Sequence, residues 1–190
     1  MELQQWYEEL ECVKKHLVTV DPQLAVVFTA VDNSGFKLHT VIKEPYVALI
    51  AAIIGQKIRY QTAKDLRGKL YTQLGTTFTP QQLLQANLSF LNTTASTIIH
   101  DVTRYIITHN VDLSTEDGIR SLKWVNGIGP WTVETTLLTC LKNWNLFPLG
   151  DKFLQVRMKK LYGAKCDMVA ISERWAPYKS VVTWYLWRWF

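Results

Sequence analysis

Leu122-Lys123-Trp124-Val125-Asn126-Gly127-Ile128-Gly129-Pro130-Trp131-Thr132 reads as two helices joined by a hairpin. One helix closes before the Gly127-Ile128-Gly129 turn, and Pro130 stands at the first position of the next. The two glycines permit a tight reversal and leave its backbone N–H groups bare. Those donors, with the positive end of the following helix behind them, form a site for one phosphate. Taken alone, an ordinary turn between two helices that contains two glycines accounts for the stretch equally well.

On both sides of this hairpin, helical signals dominate. Pro45 opens a helix in which Tyr46, Leu49, Ile50, Ile53 and Ile54 recur at helical spacing. Gly55 interrupts it, and a second helix with Ala63, Leu66 and Leu70 ends at Gly75. Thr79-Pro80-Gln81-Gln82 has the form of an N-cap, a first-turn proline and a capping-box glutamine. Ile98, Ile99, Val102, Tyr105 and Ile106 form another apolar stripe, and Ser114-Thr115-Glu116-Asp117 opens a short helix through Leu122. Pro130 begins a helix reaching about Leu141, another runs from Asp151 to Tyr162, and Pro177 begins the last. Only Leu24–Phe28 has a strand-like look. The predicted class is all-α.

The chain has 190 residues with 48% hydrophobic and 19% charged side chains, which suits one generous domain or two small lobes. Its net charge of +5 lies wholly in residues 151–190, where Lys152, Arg157, Lys159, Lys160, Lys165, Arg174, Lys179 and Arg188 outnumber Asp151, Asp167 and Glu173. Lys57, Arg59, Lys64, Arg67 and Lys69 make a second basic stretch. Such patches favour a polyanion through counterion release, although two solvated helix faces would look the same. Cys12, Cys140 and Cys166 lack the spacing of a zinc or iron–sulfur site, and reduced thiols in an intracellular protein are the simplest account. The longest apolar run, Val47–Ile54, is far short of the roughly 20 residues of a membrane span. No signal-peptide core precedes it, so no membrane association is expected. His16, His39, His100 and His109 stand in unrelated surroundings and form no zinc, haem or serine-hydrolase pattern.

The hairpin gains meaning from the segment beyond it. Phe147-Pro148-Leu149-Gly150-Asp151 places an aspartate twenty residues after Trp131. In this pairing the chain resembles the helix-hairpin-helix DNA glycosylase superfamily. Three more stretches resemble its 3-methyladenine DNA glycosylase II branch: Asp21-Pro22-Gln23-Leu24, Leu49 to Gln56, and Arg174-Trp175-Ala176-Pro177-Tyr178-Lys179-Ser180 with Tyr185-Leu186-Trp187. The resemblance covers roughly residues 20–190. It corresponds to a compact form without the extra N-terminal β-domain that some members have.

The resemblance implies two helical lobes flanking a DNA-binding cleft, one over residues 43–144 and the other joining 1–42 to 145–190. It implies a monofunctional enzyme that flips an alkylated purine such as 3-methyladenine out of duplex DNA and hydrolyses its N-glycosidic bond. Asp151 would be the catalytic carboxylate, stabilising positive charge on the sugar and orienting water; a plain helix N-cap is the other role open to it. Trp131 stands where members with lyase activity carry a lysine, and a tryptophan cannot form a Schiff base. Trp131 and Trp187 would wall the base pocket, attracting cationic purines through their ring faces, with simple core packing the other reading of Trp187. Thr135 and Lys152 would also line the pocket and depart from the aromatic residues usual there. Gly127, Ile128, Gly129, Thr132, Gln56, Lys57 and Arg59 would contact DNA, with Lys57 at the position that wedges into the gap left by the flipped base.

No cofactor is expected for bond cleavage. A structural Na⁺ or K⁺ held by the main-chain carbonyls of Lys123, Val125 and Ile128 is implied by family position. Expected partners are damaged double-stranded DNA and no membrane, with the protein acting as a monomer in the cytoplasm or nucleoid, or in a nucleus. Two other readings stay open: a non-catalytic helix-hairpin-helix DNA-binding module, and a glycosylase for uracil, mismatched or oxidised bases.

Overall fold

The computed structural model describes residues 3–38, 44–140 and 143–189. His39, Leu141 and the boundary residues 42 and 43 of the expected lobes lie outside them. Among the described residues there are eleven α-helices and no strand. In chain order they are α1 (Leu3–Val20), α2 (Leu24–Asn33), α3 (Pro45–Ile54), α4 (Tyr60–Leu74), α5 (Pro80–Leu84), α6 (Thr93–Thr108), α7 (Glu116–Ser121), α8 (Pro130–Cys140), α9 (Lys152–Tyr162), α10 (Met168–Glu173) and α11 (Lys179–Arg188). A 3₁₀ turn, Leu122–Trp124, follows α7. The chain divides into two compact units, Met1–Val41 with Asn143–Phe190, and Ile42–Lys142.

The unit Ile42–Lys142 is built around α3. Eight of its ten residues are buried, so the helix is apolar on all sides and packs against α4, α6 and α8. Leu49, Ile50 and Ile53 meet a core that includes Leu70, Ile99, Ile119, Leu122 and Leu137. Local chemistry sets the helix ends. Thr79 and Gln82 form a reciprocal capping box, and Asn92 and Thr115 cap α6 and α7. Gly75, at φ 79°, ends α4 in a conformation that favours glycine.

The other unit packs α11 against α2 and α9, around Leu17, Leu24, Val27, Leu154, Met158, Trp175, Val182 and Leu186. Here two sequence expectations are corrected. Leu24–Phe28 is helical, because Leu24, Val27, Phe28 and Val31 at spacing i, i+3, i+4, i+7 are all buried and Val26 is left outside. That helical period outweighs the β-branched pair Val26-Val27. Pro177 does not begin the last helix, which starts at Lys179; the chain turns first, with Tyr178 N–H donating to Trp175 O at 2.7 Å. The Ala176–Pro177 peptide is cis.

Candidate nucleic-acid and catalytic site

The hairpin belongs to the unit Ile42–Lys142. Leu122 O accepts from Val125 N–H at 2.9 Å, and Val125 O accepts from Ile128 N–H at 3.1 Å, which folds the turn tightly. Only one of the two glycines is required by its conformation. Gly127 has φ 87°, and a Cβ there would come within 2.5 Å of the Ile98 side chain on α6. Gly129 has open space around a Cβ and no left-handed φ; its carbonyl instead accepts the N–H groups of Thr132 and Val133 and starts α8. Val125 and Ile128 are buried and anchor the turn, while Gly127 and Asn126 face solvent. An open hollow of ≈ 480 Å³ lies over the turn, lined by residues 123–129. Lys123, Val125 and Ile128 are among the residues lining that hollow, and a carbonyl oxygen that accepts one bond keeps a second lone pair. This donor set, neutral carbonyls alone, fits a weakly held monovalent ion. Among the described residues no group of His, Cys, Asp or Glu side chains could hold a metal.

Gln56 braces the hairpin from the end of α3. Its Nε2 donates to Gly127 O at 3.0 Å and to Thr132 Oγ1 at 2.8 Å, so two of the candidate DNA-contacting residues are tied to a third. Lys57 follows at φ 57°, a left-handed conformation uncommon for a residue with a Cβ. Its side chain and that of Arg59 are exposed, as is Tyr60.

Asp151 belongs to the unit formed by residues 1–41 and 143–190. It combines the two roles open to it in the sequence. Oδ1 accepts from Leu154 N–H at 2.9 Å and caps α9, while Oδ2 accepts from the Trp187 indole N–H at 3.2 Å. The residue is 4% exposed. Cap and indole hold the carboxylate in one orientation, which is what electrostatic stabilisation of a developing cation requires. Trp187 is half-buried, edge-on to Trp184 at 5.0 Å between ring centroids. Its indole N–H, missed in the sequence, makes it a partner of Asp151 and not only an aromatic surface. Trp187→Phe keeps a ring but deletes that donor. We expect kcat on a damaged substrate to fall about 10–100-fold with KM little changed, measured by single-turnover kinetics; an unchanged kcat would remove Trp187 from this role.

Trp131 and Thr135, one turn apart on α8, are half-buried. The Thr135 hydroxyl is buried without a hydrogen-bond partner. Lys152, the first residue of α9, is exposed. Glu134 stands between Trp131 and Thr135 on the same helix, a residue that sequence reasoning passed over although its spacing from Trp131 marked the shared face. Desolvation pushes its carboxyl above the usual glutamate range, and the positive charge of Arg120 only partly opposes this. A carboxyl that holds its proton more tightly in the folded state favours folding at acidic pH, and that advantage fades as pH rises through the folded-state value. Glu134→Gln should therefore raise the melting temperature near neutral pH and make no difference below the ordinary glutamate range. Solvent screening of a half-buried group limits the effect to less than about 1 kcal/mol. Thermal melts at both pH values check this.

Two of the family-like sequence stretches meet in the unit that carries Asp151. Asp21 is 2% exposed, and its Oδ2 accepts from Tyr162 Oη at 2.8 Å, Arg174 at 3.0 Å and the Trp175 indole at 3.0 Å. The aspartate before Pro22 thus pins the segment before α11, and with it the helix that carries Trp187. The same unit consumes much of its own positive charge. Arg174 pairs with Asp21 and Lys179 with Glu173, while Lys160 lies over the Trp189 ring and Arg188 over Phe36 and Trp184. Part of the positive charge of residues 151–190 is thus partnered within the unit, while Lys152, Lys159, Lys160, Lys165 and Arg174 remain exposed. None of the three cysteines is in a disulfide. Among the described residues no helix is long and apolar enough to cross a membrane.

With this geometry in view, comparison with solved structures identifies the fold. The 3-methyladenine DNA glycosylase Mag1 of Schizosaccharomyces pombe, solved with abasic DNA, superposes with a TM-score of 0.76 at 20% identity over 92% of this chain and 94% of that one. An 8-oxoguanine glycosylase/lyase of Clostridium acetobutylicum, solved with double-stranded DNA, gives 0.72 at 18% identity over 93% and 68%. The chain shares the fold of these helical DNA glycosylases. Its sequence relatives include proteins named as DNA-3-methyladenine glycosylases. YfjP of Bacillus subtilis, named for a DNA-3-methyladenine glycosylase, is 42% identical over 81 residues, 40% of this chain but only 28% of that protein. The alkylbase DNA glycosidase-like protein mag2 of S. pombe is 23% identical over 92% of this chain and 91% of its own length. No family model matches the chain.

Proposed function

We infer that the protein is a monofunctional DNA glycosylase of base-excision repair, acting as a monomer on duplex DNA and releasing alkylated purines of the 3-methyladenine kind. The observation that carries this reading is the buried carboxylate of Asp151, held on both oxygens by the α9 cap and the Trp187 indole. Relatives with matching names and fold support it. A binding module would have no need of so constrained an acidic group.

In the proposed reaction the C1′–N bond of a flipped nucleotide breaks, and its electron pair leaves with the base. A base already cationic through ring alkylation departs as a neutral molecule, which lowers the barrier. The sugar left behind has oxocarbenium character, and Asp151 supplies fixed negative charge toward it. Water then adds at C1′ and loses a proton, completing hydrolysis. Trp131 offers the face of its ring to the cationic base, with Thr135 beside it on α8; Trp187 is oriented by its bond to Asp151, next to Lys152. The backbone N–H groups at Gly127, Ile128 and Gly129, with Thr132 opening α8, hold a phosphate; Gln56 keeps that turn in shape, Arg59 adds a positive charge, and Lys57 occupies the gap left by the flipped base. A monovalent cation at the carbonyls of Lys123, Val125 and Ile128 would add positive charge beside that phosphate and take no part in bond cleavage.

The test is incubation with methylated duplex DNA and chromatography of the released bases. Free 3-methyladenine is expected, at a rate that depends on Asp151. Release of uracil or an oxidised base alone would keep the enzyme and change its lesion, and release of no base from a panel of damaged oligonucleotides would refute the reading.

A further inference from the structure

A second concavity, of ≈ 550 Å³, runs along α6 in the unit that carries the hairpin. Thr93, Ser96, Thr97, His100, Asp101 and Arg104 line it at spacings that keep them on one face of the helix. Leu88, Ser89 and Leu91 supply the other wall. From Thr93 to Arg104 the face is about 16 Å long at the α-helical rise per residue. The opposite face of α6 carries Ile98, Ile99, Val102 and Ile106 into the core, so the polar side is not needed for packing.

The polar groups of this groove are left uncommitted. Elsewhere in the fold helical threonines bond back to the preceding turn, as Thr72 does to Gly68, Thr103 to Ile99, Thr136 to Thr132 and Thr183 to Lys179. Ser96 and Thr97 could do the same and do not. Asp101 and Arg104, three residues apart on one face, do not close an ion pair, although Lys14 and Glu11 at the same spacing do. His100 Nδ1 is buried without a partner. Hydroxyls, a cation and an anion along one groove of ≈ 550 Å³ match a ligand bearing both a phosphate and hydrogen-bonding edges.

We propose that the α6 groove is a nucleotide-binding site, separate from the hairpin and from Asp151. Arg104 takes the phosphate, for which its guanidinium is suited. Asp101 accepts from amino or hydroxyl groups of the nucleoside. Ser96 and Thr97 bridge along the groove. The nucleotide has two possible sources, free in solution or one unit of a DNA strand crossing this face. The inference does not depend on the glycosylase reading, since its readout is binding and not base release.

The experiment uses the full chain with two probes: deoxyadenosine monophosphate by calorimetry, and a fluorescein-labelled undamaged duplex by anisotropy at several salt concentrations. Saturable binding of the mononucleotide that Arg104→Ala weakens at least 10-fold establishes the free-nucleotide source. No mononucleotide binding, but a weaker duplex affinity in Arg104→Ala with the salt slope lowered by about one, establishes the strand source. Thr97→Val should weaken the same probe about 2–5-fold and keeps the test sound if Arg104→Ala folds poorly. If neither variant alters binding of either probe, including the case where a probe binds equally well to all three proteins, the groove is not a nucleotide site.

Discussion

Asp151→Asn should lower the rate of base release by about 10³-fold or more while leaving the protein folded. Asparagine is as good an N-cap as aspartate, so the bond to Leu154 N–H survives. The amide has only one oxygen, however. With that oxygen on the cap, its NH₂ faces the Trp187 indole N–H, and the second bond of Asp151 is lost. One lost bond to a charged group costs about 1.5–3 kcal/mol. For a protein of this length that lowers the melting temperature by about 3–12 °C. Affinity for DNA should hold or tighten, since a negative charge is removed. The loss of rate thus far exceeds what unfolding could cause, and the same preparation can be assayed for melting, duplex affinity and base release. Wild-type turnover by Asp151→Asn would end the enzymatic reading, and a large fall in melting temperature would make Asp151 chiefly a structural cap.

The second large effect is on stability. Asp21→Ala removes the acceptor shared by Tyr162, Arg174 and Trp175. Arg174 is half exposed and finds water, but the Trp175 side chain is fully buried and its N–H is left with nothing. Tyr162 also loses its partner; burial, with Asp21 itself as a further cause, already pushes that phenol well above its usual range. Removing one side of such a buried charged cluster costs about 3–5 kcal/mol, or roughly 10 °C in melting temperature. Six of the eight tryptophans belong to this unit, so tryptophan fluorescence during urea unfolding reports on it directly. Asp21→Asn, which keeps one acceptor, should fall between. A wild-type midpoint for Asp21→Ala would mean the cluster contributes nothing net. Activity should follow stability in both variants, because Asp21 acts on the site only through the segment that leads to Trp187.

The all-helical class and many helix ends were legible in the sequence, since both depend on neighbours within one or two turns. Pro45, the Thr79 box, Thr115 and Pro130 act on their own segments, and the stripe of α6 needs no partner to be recognised. Where a local signal was ambiguous, as with the β-branched residues of α2, only the burial of Leu24, Val27, Phe28 and Val31 settled it. The identity of the hairpin and the presence of an aspartate after it were likewise written in order along the chain. What each polar group does was not. Trp187 reaches Asp151 across 36 positions, and Trp175 reaches Asp21 across 154. Four basic side chains of the last forty residues find partners in space, an acid or a ring, that no spacing rule identifies. Hydrogen bonds and ion pairs act over a few ångströms in space, whatever the distance along the chain. Tertiary packing alone therefore decided which charges face outward and how the carboxylate at 151 is held.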